Sequence, residues 1–285
     1  VKSKRPQSTA RRIPCHEGVR FLLNDSGNWY IGGKIAGLQD PVHFDYLPLR
    51  LSPKEVRKEF SKFGWRKIVA HHTSEIIHRA QYEMTMDLIR KYDAKLLLHP
   101  SACLNRPGDM DHYTRIRCYQ SLSVYYPHDS VRLYLIPLSF RMAGPREALL
   151  HAIIRKNYGC SHFIVVPHHA EPQKPSSGKR YYHPYAAQKL ADEYKDEIGV
   201  EMATSSNFVY VKQKDSYIPE TEVKKGTQVS RITDSDLRNR LSRCTQLPSW
   251  FTFPEIEHQL LRSYPPRNRQ GFTLFFTGLS GSGKS

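Results

Sequence analysis

No stretch of this sequence stays apolar for the roughly 20 residues a membrane-crossing helix needs, and no secretory signal pattern is present. Cysteine is scarce. The five residues (Cys15, Cys103, Cys118, Cys160 and Cys244) are widely separated and form no C-x-x-C pair. That spacing argues against a sulfur-ligated zinc site and for reduced thiols in a cytoplasmic protein. Acidic residues are also in deficit, 27 against 43 Lys and Arg, for a formal net charge of +16. Such a balance attracts polyanions. The positive charge is nonetheless spread out, apart from a cluster at Lys2, Lys4, Arg5, Arg11 and Arg12. No RNA-recognition, zinc-finger or helix-turn-helix signature accompanies it, so nucleic acid is not the expected partner. There are no internal repeats.

What is present is a globular composition, 39% hydrophobic and 11% aromatic over 285 residues, enough for about two domains. The chain starts at Val1 rather than Met, so a native start upstream is expected; residues 1–14 read as a basic, disordered tail. Between 15 and 51, short strand-like runs (Val19–Leu23, Trp29–Ile31, Lys34–Leu38) are broken by Asn-Asp-Ser-Gly and Gly-Gly turns. Ser52 then opens a helix as its N-cap, with Pro53 at the first helical position and Glu55 three residues after the cap. Strand-like Ile68–Ala70, Ala94–Leu98, Leu133–Pro137 and His162–Val166 alternate with helical stretches near 78–91, 111–122 and 144–158. This alternation predicts a parallel sheet with helices on its faces, spanning 52–212. A small α/β domain at 213–262 and a linker at 263–271 complete the reading. In such sheets ligands bind beyond the carboxyl ends of the strands, which places the 70–78 and 165–172 turns at one edge.

The first of these turns lies in VAHHTSEIIHRAQYE (Val69–Glu83), a buried-type strand, a polar turn, and His78 at the mouth of a helix. Free amides and the positive end of a helix dipole suit that position to a phosphate. At the other end of the chain, FTLFFTGLSGSGKS (Phe272–Ser285) reads as a strand running into a P-loop. There Gly278, Gly281 and Gly283 would bring backbone amides to phosphates, Lys284 would meet the outer phosphates, and Ser285 would hold Mg2+. The helix that orients such a loop would follow Ser285, so 272–285 is expected to begin a kinase domain that uses ATP.

Longer strings carry more information: WYIGGKI (Trp29–Ile35), PGDMDHYTRIRCYQ (Pro107–Gln120), RMAGPREALLHAIIRKNYG (Arg141–Gly159), LPSWFTFPE (Leu247–Glu255) and SYPPRNRQGFTLFFTGLSGSGKS (Ser263–Ser285). Over about residues 16–285 the chain resembles the ATP sulfurylases, in particular their bifunctional fusions to an adenylylsulfate (APS) kinase. The resemblance implies the remnant of an N-terminal β-barrel over 15–51, a Rossmann-like nucleotidyltransferase domain and a small third domain. It also implies a reaction, the attack of sulfate on the α-phosphorus of ATP to give APS and pyrophosphate. ATP, APS and sulfate are the small-molecule partners it implies, and a homo-oligomer, dimer or hexamer, is expected. No tightly bound cofactor is.

The family's cationic residues lie in a Q-x-R-N-x-x-H-x-x-H run and a G-R-D-H-A loop, and this chain departs from both. His72 stands at the glutamine, Ser74 at the arginine, Glu75 at the asparagine and Gln81 at the second histidine; Thr73, His78, Arg79 and Ala80 match. In the second loop Val166-Pro167-His168-His169-Ala170 keeps only His169 and Ala170. A bidentate arginine cannot be imitated by serine, and Pro167 lacks even a backbone N–H. The expectation is therefore a sulfurylase domain with impaired chemistry, in which His78 is retained, serving as a scaffold for the kinase. Two other readings remain open: a nucleotidyltransferase working through a remodelled, histidine-rich site, and a polyanion-binding module. His71, His72, His78, His168 and His169 beside Glu75 also raise a metal centre, but the spacing matches no metal motif and no metal is expected.

Overall fold

The structure is a computed structural model that describes residues 2–4, 16–102, 110–172, 178, 180–265, 270–271, 273–275 and 277. The strands are β1 (Lys2–Lys4), β2 (Trp29–Ile31), β3 (Ile68–His71), β4 (Lys95–Leu98), β5 (Val131–Leu133), β6 (His162–Val165), β7 (Glu201–Thr204), β8 (Phe208–Val211), β9 (Ser216–Pro219) and β10 (Val229–Ser230). The α-helices are α1 (Glu17–Arg20), α2 (Pro53–Lys62), α3 (Arg79–Tyr92), α4 (His112–Ser123), α5 (Pro145–Asn157), α6 (Ala186–Glu193), α7 (Lys195–Ile198), α8 (Asp234–Ser242) and α9 (Pro254–Ser263).

Five strands form one parallel sheet in the order β5-β4-β3-β6-β7. The chain thus winds outward from β3 in one direction and then, from β6, in the other. The order reverses between these two neighbours, and their carboxyl ends define the crevice where doubly wound sheets bind ligands. Because side chains alternate across a strand, each strand feeds two cores. Val69, Leu96, Leu98, Ile164 and Ala203 pack on the face covered by α3, α4 and α9. Ile68, Ala70, Leu97, Phe163, Val165 and Met202 pack on the face covered by α2, α5 and α6. Burial on both faces explains why these strands read as short, unbroken apolar runs.

The Ser52 cap forms as the sequence predicts: Ser52 Oγ accepts from the Glu55 amide at 3.4 Å, and the Glu55 carboxylate accepts from the Ser52 amide at 2.8 Å. The small antiparallel sheet, ordered β10-β8-β9, begins at Phe208. The boundary expected at 212 therefore falls inside its hairpin, where Asp215 takes a left-handed φ of 45°.

The first fifty residues differ most from expectation. Val19–Leu23, read as a strand, lies in α1 and the π-helical turn Phe21–Asp25. Val19, Leu22 and Leu23 are spaced i, i+3, i+4, a pattern that serves a helix as well as a short apolar strand. Lys34–Leu38 has no regular structure. Trp29–Ile31 is a strand, but its partner is Lys2–Lys4, from the stretch expected to be a disordered tail. Among the described residues of 1–51 this two-stranded ladder is the only sheet, and it does not make a barrel. Of the strand expected at 272–277, the described residues 273–275 and 277 have no regular structure, and the P-loop (Gly278, Gly281, Gly283, Lys284, Ser285) lies outside the described residues. No described helix is long and apolar enough to cross a membrane.

Replacing Ser52 by alanine should cost about 1 kcal/mol, the usual value of a capping hydroxyl. The lowered unfolding midpoint in urea, with an unchanged slope, is the check.

Candidate functional site

The carboxyl ends of β3 and β6 bring His71–Glu75 and Val166–Ala170 together. Their meeting point is His151, on α5. The His72 ring lies edge-on to His151 at 4.4 Å between centroids, and His151 Nδ1 is 3.0 Å from His169 Nε2. His72 Nδ1 donates to the His99 carbonyl at 2.9 Å, so in the neutral ring Nε2 is a bare lone pair, and it has no hydrogen-bond partner. The ring is stacked on Phe140 at 4.7 Å. On the other side of His151, Nε2 faces Glu147 Oε1 at 3.5 Å. This carboxylate also accepts the amides of Arg141 and Ala143, at 2.5 and 3.0 Å. At that distance His151 Nε2 makes no hydrogen bond, so a carboxylate faces a hydrogen-bonded pair of imidazoles beneath the crevice.

At its centre lies Arg155, fully buried, with one contact from Nη2 to the His99 carbonyl at 3.4 Å. Burial first, and the Arg155 charge second, pushes His71 down to about 4. The same two causes hold His72 and His99 well below the usual imidazole range. His169 is lowered by burial, then by His151 and Arg155. Burial alone would raise the Glu147 carboxyl, but the nearby His151 imidazole and the two backbone hydrogen bonds bring it below its ordinary value. The crevice floor is thus made of neutral imidazoles at pH 7. Among the described residues no three His, Cys, Asp or Glu are grouped to hold a metal ion.

The rest of the first turn is structural. Thr73 Oγ1 accepts from the Glu75 amide at 2.9 Å, and the Ser74 carbonyl accepts from Arg115 Nη1 at 2.6 Å. Arg115 is itself buried, so its charge is turned into the protein. At the mouth of α3, His78 is buried and its Nδ1 meets Thr252 Oγ1 at 2.9 Å. Its ring packs on Phe251 at 4.2 Å. Gln81 Oε1 accepts the His78 amide at 3.1 Å, half of a capping box. The next amide, that of Arg79, donates to the Phe251 carbonyl at 3.1 Å. Segment 251–253 therefore takes the amide and the imidazole that were expected to meet a phosphate. Arg79 also leaves the crevice, with Nε 3.3 Å from the Thr252 carbonyl and its guanidinium 4.2 Å over Phe253.

In the second turn Val166 packs against the α3-side core. After Pro167, both His168 and Ala170 take left-handed φ values of 60° and 53°, a strained state for residues with a Cβ. The loop is pinned by three contacts. The His168 amide donates to the Pro184 carbonyl at 2.8 Å, His168 Nδ1 pairs with Glu171, and the Ala170 carbonyl accepts from the Gly144 amide at 3.1 Å. Gly144 has φ 54°, and a Cβ there would come within 2.6 Å of the Tyr182 ring. Gly144→Ala should destabilise the protein by more than about 1 kcal/mol; a thermal midpoint equal to the parent's would contradict this account of the loop.

A family model described as ATP-sulfurylase matches residues 48–263. The chain belongs to the ATP-sulfurylase family. A sulfate adenylyltransferase from Yarrowia lipolytica is 45% identical over 283 residues, 99% of this chain and 50% of that protein. One from Mycosarcoma maydis is 46% identical over 270 residues, covering 95% and 47%. A solved structure of a hexameric APS kinase from Thiobacillus denitrificans superposes with a TM-score of 0.72 at 32% identity, covering 90% of this chain and 48% of that one. The chain spans about half the length of the curated relatives it matches.

Within this sulfurylase fold, four residues beneath the crevice escape sequence reasoning: His99, Glu147, His151 and Arg155. The last three are spaced i, i+4, i+8, so they share a helical face, and that polar stripe is a usable signal. The same block reads as core at Ala148, Leu149, Ala152 and Ile153. Ala148 and Ala152 are buried, whereas Ile153 is 44% exposed.

The lowered imidazoles fix the sign of the protein's pH response. His71 and His78 titrate near 4 in the folded chain and near 6.5 once unfolded. Between these values the unfolded chain binds more protons, so stability is complete above about pH 6.5 and declines as pH falls. Each such histidine contributes up to about 1.4 kcal/mol per pH unit. Melting curves from pH 7.5 to 4.5 should show this decline, and His78→Gln should make it shallower.

Proposed function

We propose that this chain is the sulfurylase-like part of a sulfate-activating protein, that its own adenylyl-transfer site is impaired, and that it serves as scaffold for an APS kinase beginning at the P-loop sequence. The observation that carries the reading is the charge of the crevice. Sulfate and the α-phosphate of ATP are both anions, and their meeting concentrates negative charge that must be offset by positioned donors. Here the positions matching the family's arginines hold Ser74 and Pro167, and Glu75 adds a carboxylate at the rim. His72 and His169 are neutral, Arg79 is turned toward Thr252, Arg115 toward the Ser74 carbonyl, and Arg155 is buried beneath the crevice floor. Losing one preorganised donor typically costs about a hundred- to a thousand-fold in rate.

Sulfate activation is supported by relatives that are sulfate adenylyltransferases and by likeness to an APS kinase structure. The kinase part would transfer the γ-phosphate of ATP to the 3′-hydroxyl of APS, with Mg2+ at Ser285 of Gly278–Ser285. Segment 15–51 would be the end of the family's barrel. A homo-oligomer is supported by the hexameric neighbour, and the scattered cysteines support a cytoplasmic setting.

Pyrophosphate release from ATP with sulfate tests the impaired site, measured beside His169→Ala. Both proteins should stay at background; release by the parent that disappears in the variant would overturn the proposal. Light scattering tests the scaffold, which a strictly monomeric protein would contradict.

A further inference from the structure

Beside the first turns of α3, a cavity of about 510 Å³ opens between α3, the β8–β9 hairpin and the loop before α9. Its volume is in the range of small-molecule sites. It is lined by Arg79, Glu83, Tyr210, Asp215, Tyr217 and Trp250. Tyr210, Asp215 and Tyr217 lie outside the sequence strings quoted above, whereas Arg79, Glu83 and Trp250 lie within them.

The rings are arranged as a shelf. Trp250 and Tyr210 are stacked 5.4 Å apart and within 9° of parallel, and Tyr217 leans on Tyr210 at 5.3 Å and 53°. A cage for a quaternary ammonium needs several ring faces turned toward one point. A parallel stack instead offers one flat face, which takes another planar ring. The polar groups are set around it. Tyr210 Oη donates to Asp215 Oδ1 at 2.5 Å and holds that carboxylate in place. The Glu83 carboxylate has no hydrogen bond or ion pair among the described residues. The Tyr217 hydroxyl is buried without a partner, and burial keeps it protonated. Arg79 makes no ion pair there either, keeping guanidinium nitrogens beyond the Nε contact to Thr252.

We propose that this cavity is a binding site for a purine nucleotide bearing a single phosphate. The base stacks on the Trp250–Tyr210 shelf. Amine or ribose hydroxyl donors go to Glu83 and Asp215, and the phosphate goes to Arg79. Two carboxylates against one guanidinium set the limit on charge: a triphosphate would carry its extra negative charges beside Glu83 and Asp215.

Calorimetric titration of the whole protein with adenosine 5′-monophosphate tests this, with tryptophan fluorescence as a second readout. Saturable binding with quenching is expected, and ATP should bind at least about fivefold more weakly. Trp250→Leu should weaken binding about tenfold, the usual worth of a base-stacking partner, and remove the quench. Ser249 is exposed at the cavity rim, so Ser249→Trp should fill the space at an unchanged melting midpoint and abolish binding. His169→Ala, in the crevice, should leave binding intact. Absence of saturable binding, tighter binding of ATP, competition by tetramethylammonium, or affinity that survives Ser249→Trp but not His169→Ala would each overturn the proposal.

Discussion

A single buried cation organises the centre of this molecule. Arg155 is enclosed between α5 and the carboxyl ends of the sheet, with the His99 carbonyl as its hydrogen-bond acceptor. Removing a guanidinium from water is costly unless polar groups surround it. Here those groups are the imidazoles of His71, His72, His99 and His169, all of which feel its charge. Burial first, and the cation's charge after it, keeps them unprotonated. Glu147 closes the arrangement from a distance, through His151. The crevice above inherits its neutrality from this arrangement.

The second determinant is the segment Phe251–Phe253. It joins the loop before α9 to the start of α3 through one backbone hydrogen bond, two hydrogen bonds from side chains, a ring contact and a cation–π contact. A helix N-terminus offers free amides and a favourable potential to an anion. Here the Arg79 amide finds a carbonyl, and His78 turns to Thr252. The His78 imidazole, held by Thr252 and Phe251, is a packing element in this structure. Gln81 fits the same picture: a capping side chain is useful where no phosphate has to be met.

The doubly wound sheet was legible because alternation of apolar strands with amphipathic helices leaves few other solutions. The pairing of the two turns at one edge came from topology alone. The Ser52 cap was legible because its three residues interact only with one another. The features that escaped reading depend on distant partners. Val19–Leu23 satisfies two periodicities, and packing selects the helical one. Lys2–Lys4 reads as a tail because its partner strand lies some 25 residues away. His151 and Arg155 look like ordinary polar positions in a core helix; only the fold places them beneath His72 and His169.

The family fold and the crevice draw on different parts of the chain. The two cores use the faces of the strands, whereas the crevice uses only the turns beyond their carboxyl ends. Thr73, Ser74 and Glu75 contribute to the fold chiefly through a turn hydroxyl and two carbonyls, which accept from Arg115 and Tyr119. Carbonyls belong to every residue type, so the Arg115 and Tyr119 contacts do not depend on which side chains stand at 74 and 75. The second loop is different. Its left-handed His168 and Ala170 are strained, and the loop persists because Gly144, Pro184 and Glu171 pin it. The Ala170 carbonyl also secures the Gly144 amide at the start of α5, so the shape of this loop is tied to packing. The backbone of the site is therefore part of the scaffold, and its charge is not.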